Sequence, residues 1–522
     1  MTQENASSSG HPGSDAGNFH SILFPTPIGS AGLETQQAPD FFHDLNLDQI
    51  VEAITAGWEE YNLKPFFQGQ LDDLDTIIYR QEVLRDCLKN QAVVRQLYDL
   101  TVEGSQAKRQ VHWGILSRYP TGILHDSIKL MQIFVGMFPK LRLIAETHAG
   151  QFESRGFSAL FAVFKKELSD EYQAEIRNHL SELRFRRGVL LSAELGLGNI
   201  GANYILRRPR GKNPNWFMRL LGMGSPGYTF RLSERDEAGA RNLHDLESIG
   251  INLVANALAQ SADHVLSFFE MLRTELAFYI GCLNLHDRLS RKGEPLCFPR
   301  PSGGGERKLK FHGLYHPCLS LLMEPRVVGN EAHADGKSLI IITGANQGGK
   351  SVFLRSLGLA QMMMQCGMFV AAESLEAELC AGLFTHFKRE EDAEMKSGKL
   401  DEELGRMSDL ANHLTPDSMV LFNESFAATN EREGSEIARQ IVYALKEKRI
   451  KVIFVTHLFQ FAHDLFEKKM EDAFFLRAER RDDGTRTFKL IAGEPLETSF
   501  GADLYREIFA PNPSVTEANH VN

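Results

Sequence analysis

Long apolar runs are missing from this sequence. No stretch of its 522 residues reaches the ~20 apolar residues of a membrane span. Met1 to Asn18 is polar and has no signal-peptide core. No membrane partner is expected, and the reading is cytoplasmic. Paired cysteines are missing as well. Cys87, Cys282, Cys297, Cys318, Cys366 and Cys380 are scattered without a CxxC pair. That argues against a zinc site or a disulfide framework and suits a reducing compartment. Excess positive charge is also absent, since the formal net charge is −11. Binding to nucleic acid therefore needs a local basic patch working against the overall field. Otherwise the composition is that of a globular protein long enough for roughly two to four domains.

What is present is one stretch of strand, glycine loop and helix. Ser338 to Ile342 is a short apolar run rich in β-branched residues, as in a buried parallel strand. Gly344-x4-Gly349-Lys350-Ser351 fits the P-loop pattern. Val352 to Cys366 carries apolar residues at helical spacing and stops at Gly367. Phosphate oxygens need many donors close together. Glycines let successive backbone N–H groups point inward, and the new helix adds its unpaired amides and positive dipole end. Lys350 is placed to reach the β- and γ-phosphates of ATP, and the Ser351 hydroxyl to take a position on Mg²⁺. The alternative is a chance glycine-rich turn, which the flanking strand and helix disfavour.

Residues 1–37 are Ser/Gly/Pro/Asn-rich and read as a disordered tail, with Phe19 to Phe24 able to dock locally. A helical core is expected over 38–155 and lever helices over 156–290. One long helix is predicted from about Gly156 to Leu195 and another from about Asp236 to Ser290. Between them, at 195–235, lies a basic excursion. It carries Arg207, Arg208, Arg210, Lys212, Arg219 and Arg231 with interleaved aromatics, and no acid lies between Glu194 and Glu234. Two readings stand: contact with a DNA backbone, or a solvated loop whose arginines pair with acids elsewhere. Residues 291–310 are Pro/Gly-rich and read as a linker. An α/β domain follows over 311–510, then a tail over 511–522. That domain includes strands Ser418 to Phe422 and Lys451 to Val455, a helix from about Gly434 to Lys446, and a hairpin turning at Asp482-Asp483-Gly484.

A nucleotide site needs a second strand that delivers a metal ligand and a water-orienting group. Met419 to Phe422 is apolar and ends in Asn423-Glu424. Glu424 is placed to orient or deprotonate the attacking water. Asn423 stands where Asp is usual. Its amide oxygen can help position Mg²⁺, but without the negative charge, so weaker metal binding and slow hydrolysis are expected. His457 directly follows the next strand, where it can reach the γ-phosphate or the water, although a lone histidine is more often structural.

These motifs together resemble the MutS family of DNA mismatch-repair ATPases. Gly344-Ala345-Asn346-Gln347-Gly348-Gly349-Lys350-Ser351, then Leu354-Arg355 and Gln365 to Ala372, is similar to that family's elaboration of the P-loop. Tyr315-His316-Pro317, Phe384 to Phe387, Ser499-Phe500-Gly501 and the run Asp72 to Gln81 resemble further family segments. Val327-Val328-Gly329-Asn330 resembles the segment that contacts adenine, which implies Val327 and Val328 for the base. The resemblance implies an ABC-type α/β P-loop ATPase domain preceded by a mostly α-helical core and lever. It also implies a dimer, expected here as a homodimer, whose two ATP sites lie at the subunit interface and whose levers carry nucleotide state to DNA. Ser397 and Gly398 match the loop that completes the partner's site. Leu400 and Asp401 replace its hydroxyl residues, so that contact is expected to be altered. No counterpart of the family's amino-terminal mismatch-reading domain is expected, and the clamp is expected to be abbreviated. Mismatch reading by that device is therefore not expected. The alternative function is a nucleotide-gated interaction protein with weak ATPase activity and a protein partner in place of DNA.

Overall fold

Side-chain caps begin several helices: Asp73, Ser169, His316 and Asn430 each accept from an amide of the first turn. The computed structural model describes residues 19–25, 40–55, 72–111, 119–186, 188–199, 201–208, 231–233, 235–389, 398–481 and 485–496. They form two compact units: Met1–His20 with Ala92–Glu153 and Phe157–Leu276, and Ser21–Gln91 with Ser154–Gly156 and Ala277–Asn522.

The first unit is helical. Helix Pro120–His148 is followed by Arg155–Glu167 and Asp170–Glu182. The single helix expected over 156–195 is therefore not formed. Ser169 is extended, and its side chain accepts from the Tyr172 amide, which caps a new helix. Such a cap is worth about 1 kcal/mol, and Asp170 and Glu171 add charge that favours the first turn. The end of the expected helix is instead a strand. β1 (Leu191–Leu195) pairs antiparallel with β2 (Gly201–Leu206), so the basic excursion begins as a β-ribbon. The helix expected from Asp236 is formed: Glu237–Arg291 runs for 55 residues. Within this unit its Phe269 stacks on Phe134 at 5.5 Å between ring centroids. Phe157, Phe161 and Phe164 recur at helical spacing and are buried.

The second unit holds two sheets. The six-stranded one comprises β6 (Leu339–Thr343), β8 (Leu383–Phe387), β9 (Met419–Asn423), β10 (Lys451–Val455), β11 (Ala473–Arg480) and β12 (Arg486–Ala492), in the order β12-β11-β6-β10-β9-β8. All pairs are parallel except the β11–β12 hairpin. Ile341, Leu421, Phe422, Ile453 and Phe454 are fully buried, as strands covered on both faces require. Helices Lys350–Gln365, Glu431–Glu447 and Phe459–Glu467 supply the crossovers. The four-stranded sheet has the order β3-β7-β4-β5, with β3 (Arg300–Ser302), β4 (Leu309–Leu314), β5 (Asn330–His333) and β7 (Ser374–Glu378). The linker expected over 291–310 thus contributes two strands to this sheet. β3 lies at its edge, where Pro301 leaves no ladder bond unmade.

The tail expected over 1–37 is described only at 19–25. Within the second unit Ser21 to Leu23 is docked. Tyr79 Oη donates to the Ser21 carbonyl at 2.7 Å, Tyr279 Oη to Ile22 at 2.7 Å, and Arg80 Nε to Leu23 at 3.0 Å. Among the described residues no helix is long and apolar enough to cross a membrane.

Candidate functional site

The parallel register brings three strand ends together. Val455 of β10 pairs with Ile342 of β6 on one side and with Asn423 of β9 on the other. The glycine loop leaves β6, Glu424 follows β9, and His457 follows β10. Residues far apart in sequence meet because their strands run the same way and end level, the usual place for a ligand in an open α/β sheet.

The loop from Gly344 to Gly349 leads into helix Lys350–Gln365. Gly344 has φ +116°, and a Cβ there would lie 2.9 Å from both the backbone nitrogen and the Cβ of Ala478 on β11. A Cβ on Gly348 would meet Ala478 Cβ at 2.8 Å. Glycine is needed because the loop lies directly against the neighbouring strand. Gln347 at φ +59° is strained without that excuse. Arg486 of β12 donates to its Oε1 at 2.6 Å and fixes its side chain.

Lys350 is buried and bends back over the loop, donating to the carbonyls of Gly344 and Ala345 at 2.8 Å each. An ammonium has three donors, so one N–H remains for a ligand. Burial pushes its amine down to about 8, opposed by the charge of Glu424. The Ser351 hydroxyl donates to Asn423 Oδ1 at 2.8 Å, which joins the loop's helix to the end of β9. Glu424 has φ +56°, and its amide donates to the Val455 carbonyl at 2.9 Å. Its Oε1 lies 2.8 Å from His457 Nε2. That hydrogen bond holds the carboxyl below its usual range, against the opposing effect of burial.

These groups border a cavity of about 470 Å³, within the size range of small-molecule sites. Of the residues named from the sequence, Val327, Val328, Asn346, Gln347, Gly348, Gly349, Lys350, Ser351 and Glu424 line it. Three expected site residues stand behind the wall. Asn423 is bonded to Ser351, His457 is bonded to Glu424, and Gly344 faces a separate cavity of about 100 Å³ beside Ala478. The sequence reading assigned no role to His316, Phe353 or Phe488, which also line the main cavity. Phe488 has φ +58° inside a strand, a constraint that no residue pattern announces.

Gly398 is exposed and precedes helix Lys399–His413 as its cap residue. That helix is tied to the end of β9, since Glu403 Oε2 accepts from the Phe426 amide at 2.9 Å. Ser397 lies outside the described residues, as do Arg210, Lys212, Arg219 and Ser499 to Gly501. In the first unit Arg207 and Arg208 follow β2 and border a cavity of about 510 Å³ together with Arg186. Arg208 forms an ion pair with Glu182, and Arg207 Nε donates to Ser192 Oγ at 2.9 Å. Arg208 thus has an acid partner.

Comparison with known proteins finds relatives for two segments of the chain. The family model for the MutS2 N-terminal domain matches residues 72–292, and that for MutS domain V matches 340–522. A DNA mismatch repair protein MutS of Leptospira interrogans is 26% identical over 285 residues, 53% of this chain and 32% of that protein. The protein of the same name from Parabacteroides distasonis is 27% identical over 352 residues, 63% and 39% of the two chains. MutS protein homolog 4 of Mus musculus is 26% identical over 215 residues, 40% and 22%. The matched region is thus well under half the length of each relative. The two family matches cover most of the helical part and the part that holds the glycine loop. The chain belongs to the MutS family.

Proposed function

We propose that the chain binds ATP with Mg²⁺ in the 470 Å³ cavity and hydrolyses it at the interface of a homodimer, using the cycle to move helical arms on DNA in repair or recombination. The observation that carries this is the joint lining of one cavity by the glycine loop, Lys350, Ser351 and Glu424. In this reading the loop is a P-loop whose amides and Lys350 hold the phosphates, with Val327 and Val328 against the base. Ser351 and Asn423 would hold Mg²⁺. Their oxygens are hard donors 2.8 Å apart, which suits that ion, and the ion would supply charge neutralisation between the phosphates. Glu424 takes the proton of the attacking water, and His457 orients Glu424. Gly398, with Ser397, contacts the partner's nucleotide.

Asn423 makes a specific prediction. Asn423→Asp keeps the acceptor for Ser351 and adds a full charge. Mg²⁺ should bind about tenfold more tightly, and turnover at limiting Mg²⁺ should rise. Titration of turnover against Mg²⁺ checks this, and an unchanged half-saturation point removes Asn423 from the metal site.

DNA is tested separately. Duplex and branched DNA should bind with an affinity that falls steeply with salt. Arg207→Ala with Arg208→Ala should flatten the log–log slope by about 2. If the slope does not change, the start of the excursion is not a DNA contact. The neutral Asn423 favours a second reading, a nucleotide-gated interaction protein with weak ATPase activity and a protein partner. Robust DNA-dependent turnover counts against it.

A further inference from the structure

We propose that Glu294 is a positioning residue that links occupation of the 470 Å³ cavity to the carboxyl-terminal end of the 55-residue helix Glu237–Arg291. This rests on the reading that a nucleotide occupies the cavity.

The link begins in how the helix stops. Gly293 has φ +69°; its amide donates to the Ser290 carbonyl at 2.9 Å, while the Glu294 amide reaches that of Leu289 at 3.4 Å. These are the two bonds of a Schellman motif, with Gly293 in the left-handed position that a side chain would strain. A Cβ at Gly293 would also lie 2.6 Å from an Arg326 guanidinium nitrogen. The motif fixes the direction of the chain at Glu294, which is 6% exposed.

From there hydrogen bonds run to the segment 320–327, part of which lines the cavity. Glu294 Oε1 accepts from Ser320 Oγ and from the Val327 amide, both at 3.1 Å. Lys292 Nζ donates to the carbonyls of Ser320 and Met323, and Arg326 donates to the carbonyl of Gly293. Met323, Arg326 and Val327 line the cavity. Three consecutive residues after the last turn thus grip the segment that would lie against the base. The Val327 amide is held by a side chain rather than by a sheet ladder, so its position follows Glu294, and Glu294 follows the helix. A ligand pressing on Val327 pulls on the helix end by the same bonds, since coupling between two sites is reciprocal.

The test uses the full chain with two probes, a non-hydrolysable ATP analogue and inorganic tripolyphosphate. Amide hydrogen exchange is read over 284–294. In the wild type the analogue should slow exchange there. Glu294→Ala should bind the analogue about tenfold more weakly, bind tripolyphosphate within twofold, and lose the slowing. Glu294→Gln keeps an acceptor oxygen for both donors and should behave as wild type. A merely structural role would not separate the two probes. If Glu294→Ala loses tripolyphosphate as well, Ser320→Ala takes its place. It removes one of the two bonds, and the same split is expected at about threefold. Wild-type behaviour of the variant read, by affinity or by exchange, overturns the inference alone. A wild-type chain that binds neither probe removes the nucleotide reading and the inference with it.

Discussion

Glu424→Gln should lower ATP turnover by about 10²- to 10⁴-fold, the range for loss of a positioned general base, while changing ATP affinity by less than about threefold. The geometry sets this asymmetry. Glu424 stands at the level end of β9, with its backbone held at φ +56° and its amide tied to Val455 across the sheet. Its carboxylate is directed by His457 at 2.8 Å. Because that bond holds the carboxyl below the ordinary glutamate range, Glu424 is ionised throughout the neutral region. No acid loss of turnover between pH 7 and 6 should therefore arise from Glu424. Glutamine keeps the shape and an acceptor for His457 but cannot take a proton. His457→Ala should cost less, since it frees a base that remains in place. Single-turnover hydrolysis alongside analogue binding separates the two steps. If Glu424→Gln turns over within threefold of wild type, the water is activated elsewhere.

Much of this site was legible in the sequence because it is built from strand ends. A run such as Ile340-Ile341-Ile342 can be little else than a buried strand, and the polar residues just after such runs meet whenever the strands are parallel. The glycine-loop pattern singles out Gly344, Lys350 and Ser351, and their places just after buried strands single out Asn423, Glu424 and His457. The single helix expected over 156–195 failed for a local reason. Its apolar spacing carries on past Leu168, but Ser169 offers the backbone a better partner than the helix does, and a cap is one side chain, invisible to periodicity. The supposed linker failed because an edge strand tolerates proline as well as a loop does. Residues that close the cavity from the side were beyond reach. His316 and Phe488 arrive from segments whose pairing only the folded chain sets, and no spacing relates them to the glycine loop.

Lys350→Ala should weaken ATP binding by about 10²-fold, since a charge-assisted hydrogen bond is worth about 1.5–3 kcal/mol and the loop loses its one buried cation. The wild type makes a pH prediction from the same group. Burial has pushed the Lys350 amine down to about 8, so the empty site loses its charge as pH rises past that value. Phosphate oxygens favour the ammonium, and binding must therefore take up a proton above this point. The sign follows: ATP affinity should be level below pH 8 and fall by up to tenfold per pH unit above it. In Lys350→Ala this alkaline limb should vanish, leaving a weak, flat profile. The variant also leaves the carbonyls of Gly344 and Ala345 without their donor, so the loop should loosen. Lys350→Arg does not repair this, because a planar guanidinium cannot place three donors around one point as an ammonium does. Calorimetric titration of ATP across pH 6.5–9.5 with both variants settles the matter. An alkaline limb that persists in Lys350→Ala assigns the proton to another group, and ATP affinity unchanged by the substitution takes the triphosphate out of the glycine loop.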